Sequence, residues 1–126
     1  MGYAQNLAFA ETPPRPDTEK IRTLNDTMRR NIFCSPALGD VILTAGVGAL
    51  SDSDRFSLLD EVRCFEDFTP DNNPYDEHDF GAIDFRGERY FWKIDYYDRA
   101  MHAHSPNPAN ANLTHRILTI MRADEY

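Results

Sequence analysis

Four ionisable side chains stand in a row at Asp76-Glu77-His78-Asp79. Carboxylate oxygens suit Mg²⁺, Mn²⁺ or Ca²⁺, and an imidazole among them adds Zn²⁺ or Fe²⁺. A divalent-metal hydrolase built here would take Glu77, His78 and Asp79 as ligands. Asp71 and Asn73 would add oxygens from the preceding loop, and Asp95 or His102 would come from further along. The spacing fits neither the twelve-residue calcium loop of an EF-hand nor the H-E-x-x-H pattern of zinc proteases. Asp and Asn between prolines also have a structural use, because they accept hydrogen bonds from nearby backbone in Asx turns. No residue is assigned a catalytic role, and no cofactor is expected under the leading reading below.

Other pairings are weaker. His102-Ala103-His104 would point two imidazoles the same way in an extended segment, which suits one metal ion, but a pair is not a site. Ser105 lies near these histidines and Asp98, without the G-x-S-x-G elbow of a hydrolase. Cys34 and Cys64 match neither a zinc cluster nor a disulfide framework. Each neighbours a phenylalanine, so we read both as small buried hydrophobes. Thr44-Ala45-Gly46-Val47-Gly48 lacks the lysine and the spacing of a phosphate loop, and close backbone packing is the better account of its glycines. Tyr90-Phe91-Trp92 and Tyr96-Tyr97 would stack bases only in a basic groove, which the neighbouring Asp95 and Asp98 oppose.

The acidic residues extend well beyond that row. From 60 to 84 the chain holds Asp60, Glu61, Glu66, Asp67, Asp71, Asp76, Glu77, Asp79 and Asp84, against Arg63 alone. Over all 126 residues, 13 Lys and Arg face 21 Asp and Glu, a formal net charge of −8. Phosphate contacts depend on Lys and Arg, so nucleic acid and anionic membrane are excluded as general partners. A basic protein or a nucleoprotein complex is the partner this charge suits. No run approaches the ~18 apolar residues of a membrane span, and no signal peptide is evident, so a cytoplasmic protein is expected.

The elements that would position these groups form one domain over 17–126, after an extended arm over 1–16 ending in Thr12-Pro13-Pro14-Arg15-Pro16. Ile21, Leu24 and Met28 recur at helical spacing, with Lys20, Arg22, Arg29 and Arg30 on other faces, which predicts a helix over about 18–31. The Val-Ile-Leu run after Asp40 reads as a buried strand. Ser51 or Ser53 caps a second helix with Phe56, Leu59 and Val62 as its apolar face. Phe65 and Phe68 then enter the core. A hairpin follows, with strands at about 79–85 and 89–97 turning at Arg86-Gly87. Its second strand sets Tyr90, Trp92, Ile94 and Tyr96 against Phe91, Lys93, Asp95 and Tyr97. A long loop spans 99–112, and a strand at about 113–123 is apolar on both faces. The expected fold is α+β, an antiparallel or mixed sheet of about four strands with two helices on one face.

Three segments together carry a resemblance: Asp71 to Gly81, Trp92 to Asp98, and Arg116 to Tyr126. They resemble a small bacterial family of unknown function, often carried on mobile elements. In that family the first loop reads N-D-P-x-x-E-H-D-F-G and a later one S-P-D-P-A-D. Here Asn73 replaces the aspartate of the first, and Asn107 and Asn110 replace both aspartates of the second. Neutral amides would impair metal or acid–base chemistry, whereas as turn formers they serve equally well.

The leading expectation is therefore an acidic interaction module contacting its partner through Asp67, Asp71, Asp76, Glu77 and Asp79. The mobile-element setting implied by the resemblance suggests one form of it. An inhibitor of anti-CRISPR or anti-restriction type would mimic nucleic acid in the basic channel of a host defence complex. The metal-dependent hydrolase at Glu77-His78-Asp79 and a non-catalytic homodimeric scaffold are the alternatives.

Overall fold

The computed structural model describes residues 17–34 and 37–126. The arm expected over 1–16 and the break at Ser35-Pro36 lie outside the described residues. Helix α1 spans Thr18–Arg30, strand β1 Gly39–Leu43, the one-turn helix α2 Ala45–Gly48 and helix α3 Asp52–Arg63. Strands β2 (Phe80–Phe85), β3 (Glu88–Tyr97) and β4 (His115–Arg122) follow, with single 3₁₀ turns at Ala111–Leu113 and Ala123–Glu125.

The sheet order is β1-β4-β3-β2. β2 and β3 form an antiparallel hairpin whose turn residues, Arg86 and Gly87, both have positive φ (49° and 81°). That is the twist-matched two-residue turn that favours glycine. β4 pairs antiparallel with β3 and parallel with β1, so the sheet is mixed and β4 is internal. The expected α+β architecture is what forms, with α2 as an additional short helix where the glycine-rich segment follows β1.

Alternation along β3 buries Tyr90, Trp92, Ile94 and Tyr96 on one face. Leu118 and Ile120 of β4 join them, and Ile21 and Met28 of α1, Val47 of α2 and Leu58 and Val62 of α3 pack against this layer. Each large apolar side chain so buried contributes about 1.5–3 kcal/mol before entropy is charged against it. Phe65 is in the core and Phe68 packs at its edge, as expected.

Helix α3 starts as the sequence implies: Ser51 Oγ accepts from Asp54 N–H, and Asp52 and Asp54 lie in the first turn, near the positive end of the dipole. Its apolar face matches expectation in part: Val62 is buried and Leu59 packs against the core, joined by Leu58, one turn before Val62. Phe56 departs from it, 59% exposed and stacked on Phe33 at 4.7 Å. The cysteines also differ. Cys34 and Cys64 are free and exposed. Cys64 is the C-cap of α3, where the chain turns so that Phe65 rather than Cys64 points inward.

Candidate functional site

The loop before β2 is built by its own polar side chains. Asn72 Oδ1 accepts from Thr69 N–H at 2.9 Å, and Asn73 Oδ1 accepts from His78 N–H at 3.0 Å. Asp76 and His78 both adopt positive φ (58° and 56°). These left-handed residues flank Glu77, which lies inside the fold at 4% exposure.

Glu77 joins a buried polar hub. The Tyr96 hydroxyl donates to Glu77 Oε1 at 2.9 Å. Asn25 of α1 donates through Nδ2 to the Glu77 carbonyl (3.0 Å) and the Tyr96 hydroxyl (2.7 Å). Arg116 of β4 donates from Nε to Asn25 Oδ1 at 2.7 Å and from Nη2 to the Pro108 carbonyl, with its guanidinium over the Tyr96 ring. Burial lowers the Arg116 pKa, but a guanidinium starts so high that it keeps its charge.

A second buried arginine stands beside the hub. Arg29 Nη1 donates to the carbonyls of Val62, Arg63 and Phe65, acceptors at the C-terminal end of α3 and just beyond it. Its Nη2 donates to Asp26 Oδ1 at 2.9 Å. Burial lowers its pKa, opposed by Asp26. The sequence reading put Arg29 on an outer face; it lies wholly inside because only a long cationic fork reaches these carbonyls. His78 lies against the same carboxylate, Nδ1 to Asp26 Oδ1 at 2.9 Å. A carboxylate only accepts, so Nδ1 carries the proton. The His78 ring stacks on Phe68 at 3.7 Å.

The side chains of the expected metal triad therefore diverge. Glu77 turns to Tyr96, and His78 to Asp26. Asp79 is half-buried at the entry to β2, where its carbonyl accepts from Ile94 N–H. Burial and then the nearby Asp95 raise the Asp79 pKa. Among the described residues no three His, Cys, Asp or Glu side chains are grouped to hold a metal. His102 and His104 are exposed. Ser105 is buried and bonded to Thr114 Oγ1 at 2.7 Å.

Asn107 and Asn110 are turn formers. Asn107 Oδ1 accepts from Ala109 N–H, and Asn110 Oδ1 from Asn112 N–H. A carboxylate would accept in the same way. The glycine-rich segment meets an anion from its own chain: Glu125 accepts from Thr44 Oγ1 (2.7 Å), Arg122 N–H (2.8 Å) and Gly46 N–H (2.8 Å). These bonds, the Thr44 hydroxyl foremost, hold the Glu125 carboxyl below its usual range.

The remaining partner candidates are at the surface. Asp67, Asp71 and Asp76 are exposed, and Asp76 pairs with Arg22 at 2.7 Å. Most cations are committed within the fold: Arg63 to Asp60, Arg86 to Asp54, Arg55 to Asp52, Arg89 to Asp84. Glu61, Glu66, Asp67 and Asp71 are exposed with no cation at ion-pair distance among the described residues. Sequence reasoning treated 60–84 as one acidic stretch; the fold sorts it into a buried part and a solvent-facing part. It missed Asn25 and Arg116 as the hub's centre. The available signal was Asn25 itself, a polar residue at core spacing between Ile21 and Met28.

Fold and site define a small α+β domain with a mixed four-stranded sheet, a buried hub that fixes its acidic loop, and exposed carboxylates at Glu61, Glu66, Asp67 and Asp71. The profile of the DUF3768 family, described as a protein of unknown function, matches residues 43–125, and the chain belongs to that family. No curated protein and no solved structure matches it. Among the described residues no helix is long and apolar enough to cross a membrane.

Proposed function

We propose that this protein is an acidic interaction module that binds a basic protein or nucleoprotein surface through the strip from Glu61 to Asp76. The observation that carries the reading is the unopposed set Glu61, Glu66, Asp67 and Asp71, in a fold whose other carboxylates are largely paired. Unpaired exposed charge costs stability through self-repulsion and is of use in attracting a partner. Glu77, directed inward to Tyr96, supports the strip from beneath rather than contacting the partner. The finer form of the reading places the protein in the bacterial cytoplasm, on a mobile element. There it blocks the nucleic-acid channel of a defence complex.

The test compares wild type with the variant E61Q/E66Q/D67N/D71N as baits in cell lysate. Wild type is expected to retain a defined basic partner at low salt and release it near 0.5 M, where the Debye length is only about 4 Å. The amide variant is expected to capture none of it. Equal capture by the amide variant would sink the proposal. In the finer form, added nucleic acid competes with the protein for that partner.

A further inference from the structure

The fold prepares one imidazole for chemistry that an interaction module does not use. His78 Nδ1 donates to Asp26, 2.9 Å from Oδ1 and 3.2 Å from Oδ2, so the ring's free electron pair lies on Nε2. Nε2 has no hydrogen-bond partner among the described residues, and solvent reaches it, the side chain being 20% exposed. The rest of the residue is held. The ring lies flat on Phe68, with 2° between the planes. The backbone N–H is bonded to Asn73 Oδ1, and φ is 56°. A left-handed φ is uncommon outside glycine and clusters at functional sites.

Asp26 is fixed just as firmly. Its side chain is 14% exposed and is gripped by Arg29 Nη2 at 2.9 Å. A carboxylate held behind an imidazole sets the tautomer. It also meets the positive charge the ring acquires when Nε2 attacks an electrophile. The neighbouring charges select that electrophile. Arg22, Asp26 and Arg30 stand one turn apart along α1. Arg30 brings Nη2 to 4.0 Å from Asp26 Oδ2, the oxygen that also faces His78 Nδ1. Arg22 Nη1 donates to both the carbonyl and the carboxylate of Asp76, two residues before His78, and cancels that charge. Guanidinium groups beside a nucleophile suit an anionic phosphoryl group. A metal ion would need further ligands, and no three are grouped among the described residues.

We infer that His78 Nε2 is a phosphoryl-acceptor site, loaded from a small donor with a labile P–N or acyl-phosphate bond. The Nε2 electron pair forms the bond to phosphorus as the bond to the leaving group breaks in line with it. In phosphoramidate the leaving nitrogen is already protonated, so ammonia departs with the electron pair of the broken bond. The ring gains one positive charge, shared with Nδ1–H and faced by Asp26. The site uses none of Glu61, Glu66, Asp67 and Asp71, and stands whether or not the partner reading does.

The test incubates the full chain with phosphoramidate near neutral pH. Peptide mass spectrometry follows each of the four histidines, and phosphorus NMR tells Nε2 adducts from Nδ1 adducts. His78 is expected to react about tenfold faster than His102 and His104, although both are more exposed. Asp26→Asn is expected to slow His78 about tenfold and Arg30→Gln about threefold, with His102 and His104 unchanged in both. Circular dichroism confirms folding. If Asp26→Asn unfolds the chain, the comparison among histidines within wild type still decides. A His78 no faster than His102 and His104, an adduct on Nδ1, or an unchanged rate in either folded variant overturns the inference.

Discussion

Replacing Asn25 with alanine should cost this protein about 3–5 kcal/mol, far more than a polar helix residue usually costs. Asn25 is fully buried and holds three partners: the Glu77 carbonyl, the Tyr96 hydroxyl and Arg116 Nε. Alanine removes all three bonds, one of them to the charged guanidinium of the buried Arg116. A neutral hydrogen bond contributes about 0.5–1.5 kcal/mol and one to a charged group about 1.5–3 kcal/mol. The three losses together give the stated range, and for a domain of this size that lowers Tm by about 12–20 °C. Urea denaturation followed by circular dichroism measures it, with an unchanged m-value as the condition for reading the shift as stability. Thr23→Ala, at an exposed position of the same helix, is the control and should stay within about 0.5 kcal/mol of wild type. An Asn25→Ala loss below about 1 kcal/mol would refute the idea that the hub holds α1 to the sheet.

Three further predictions concern Asp79, Glu125 and Gly81. Burial raises the Asp79 pKa, so its charged form opposes folding above that raised value, and the penalty lifts as pH falls through it. Asp79→Asn should therefore raise Tm at pH 7 relative to wild type, with the difference shrinking towards about pH 4. The depressed Glu125 carboxyl works with the opposite sign. Its contribution is complete above the unfolded value of about 4.3 and is lost as pH falls through the folded one, so the Tm gap between wild type and Glu125→Gln should close on acidification. At Gly81 a Cβ would lie 2.4 Å from Trp92 Nε1, so Gly81→Ala should overpack the core and cost about 1–3 kcal/mol in urea denaturation.

What could be read from the chain was what short-range periodicity and turn chemistry decide. The alternation in β3, the Arg86-Gly87 turn and the helical span of α1 are local patterns, and each formed where expected. β4 was legible as apolar on both faces, but not as the internal strand, because its pairing with β1 joins residues some 80 positions apart. The hub has the same origin: Asn25 and Arg116 are separated by 91 residues, and neither carries a local sign of the other. In the acidic loop the failure was directional. Neighbouring side chains in irregular backbone follow individual φ values, and the left-handed Asp76 and His78 send Glu77 inward while Asp76 stays out. Composition gave the charge but not which carboxylates are neutralised, since that depends on where each arginine reaches. The cysteines were misplaced by a neighbour rule that ignored the helix cap at Cys64.

The position of β4 has a kinetic consequence. It is the latest of the four strands in chain order, yet it is the one that joins β1 to the β2–β3 hairpin. On the ribosome, everything through β3 can emerge while the sheet has no centre. The hairpin can zip locally, but β1 has no strand to pair with, and the apolar stripes of α1 and α3 have only half a layer beneath them. Pairings this distant in sequence make the domain a slow, late folder, and the nascent chain exposes Val41, Trp92 and Ile94 until β4 threads between its neighbours.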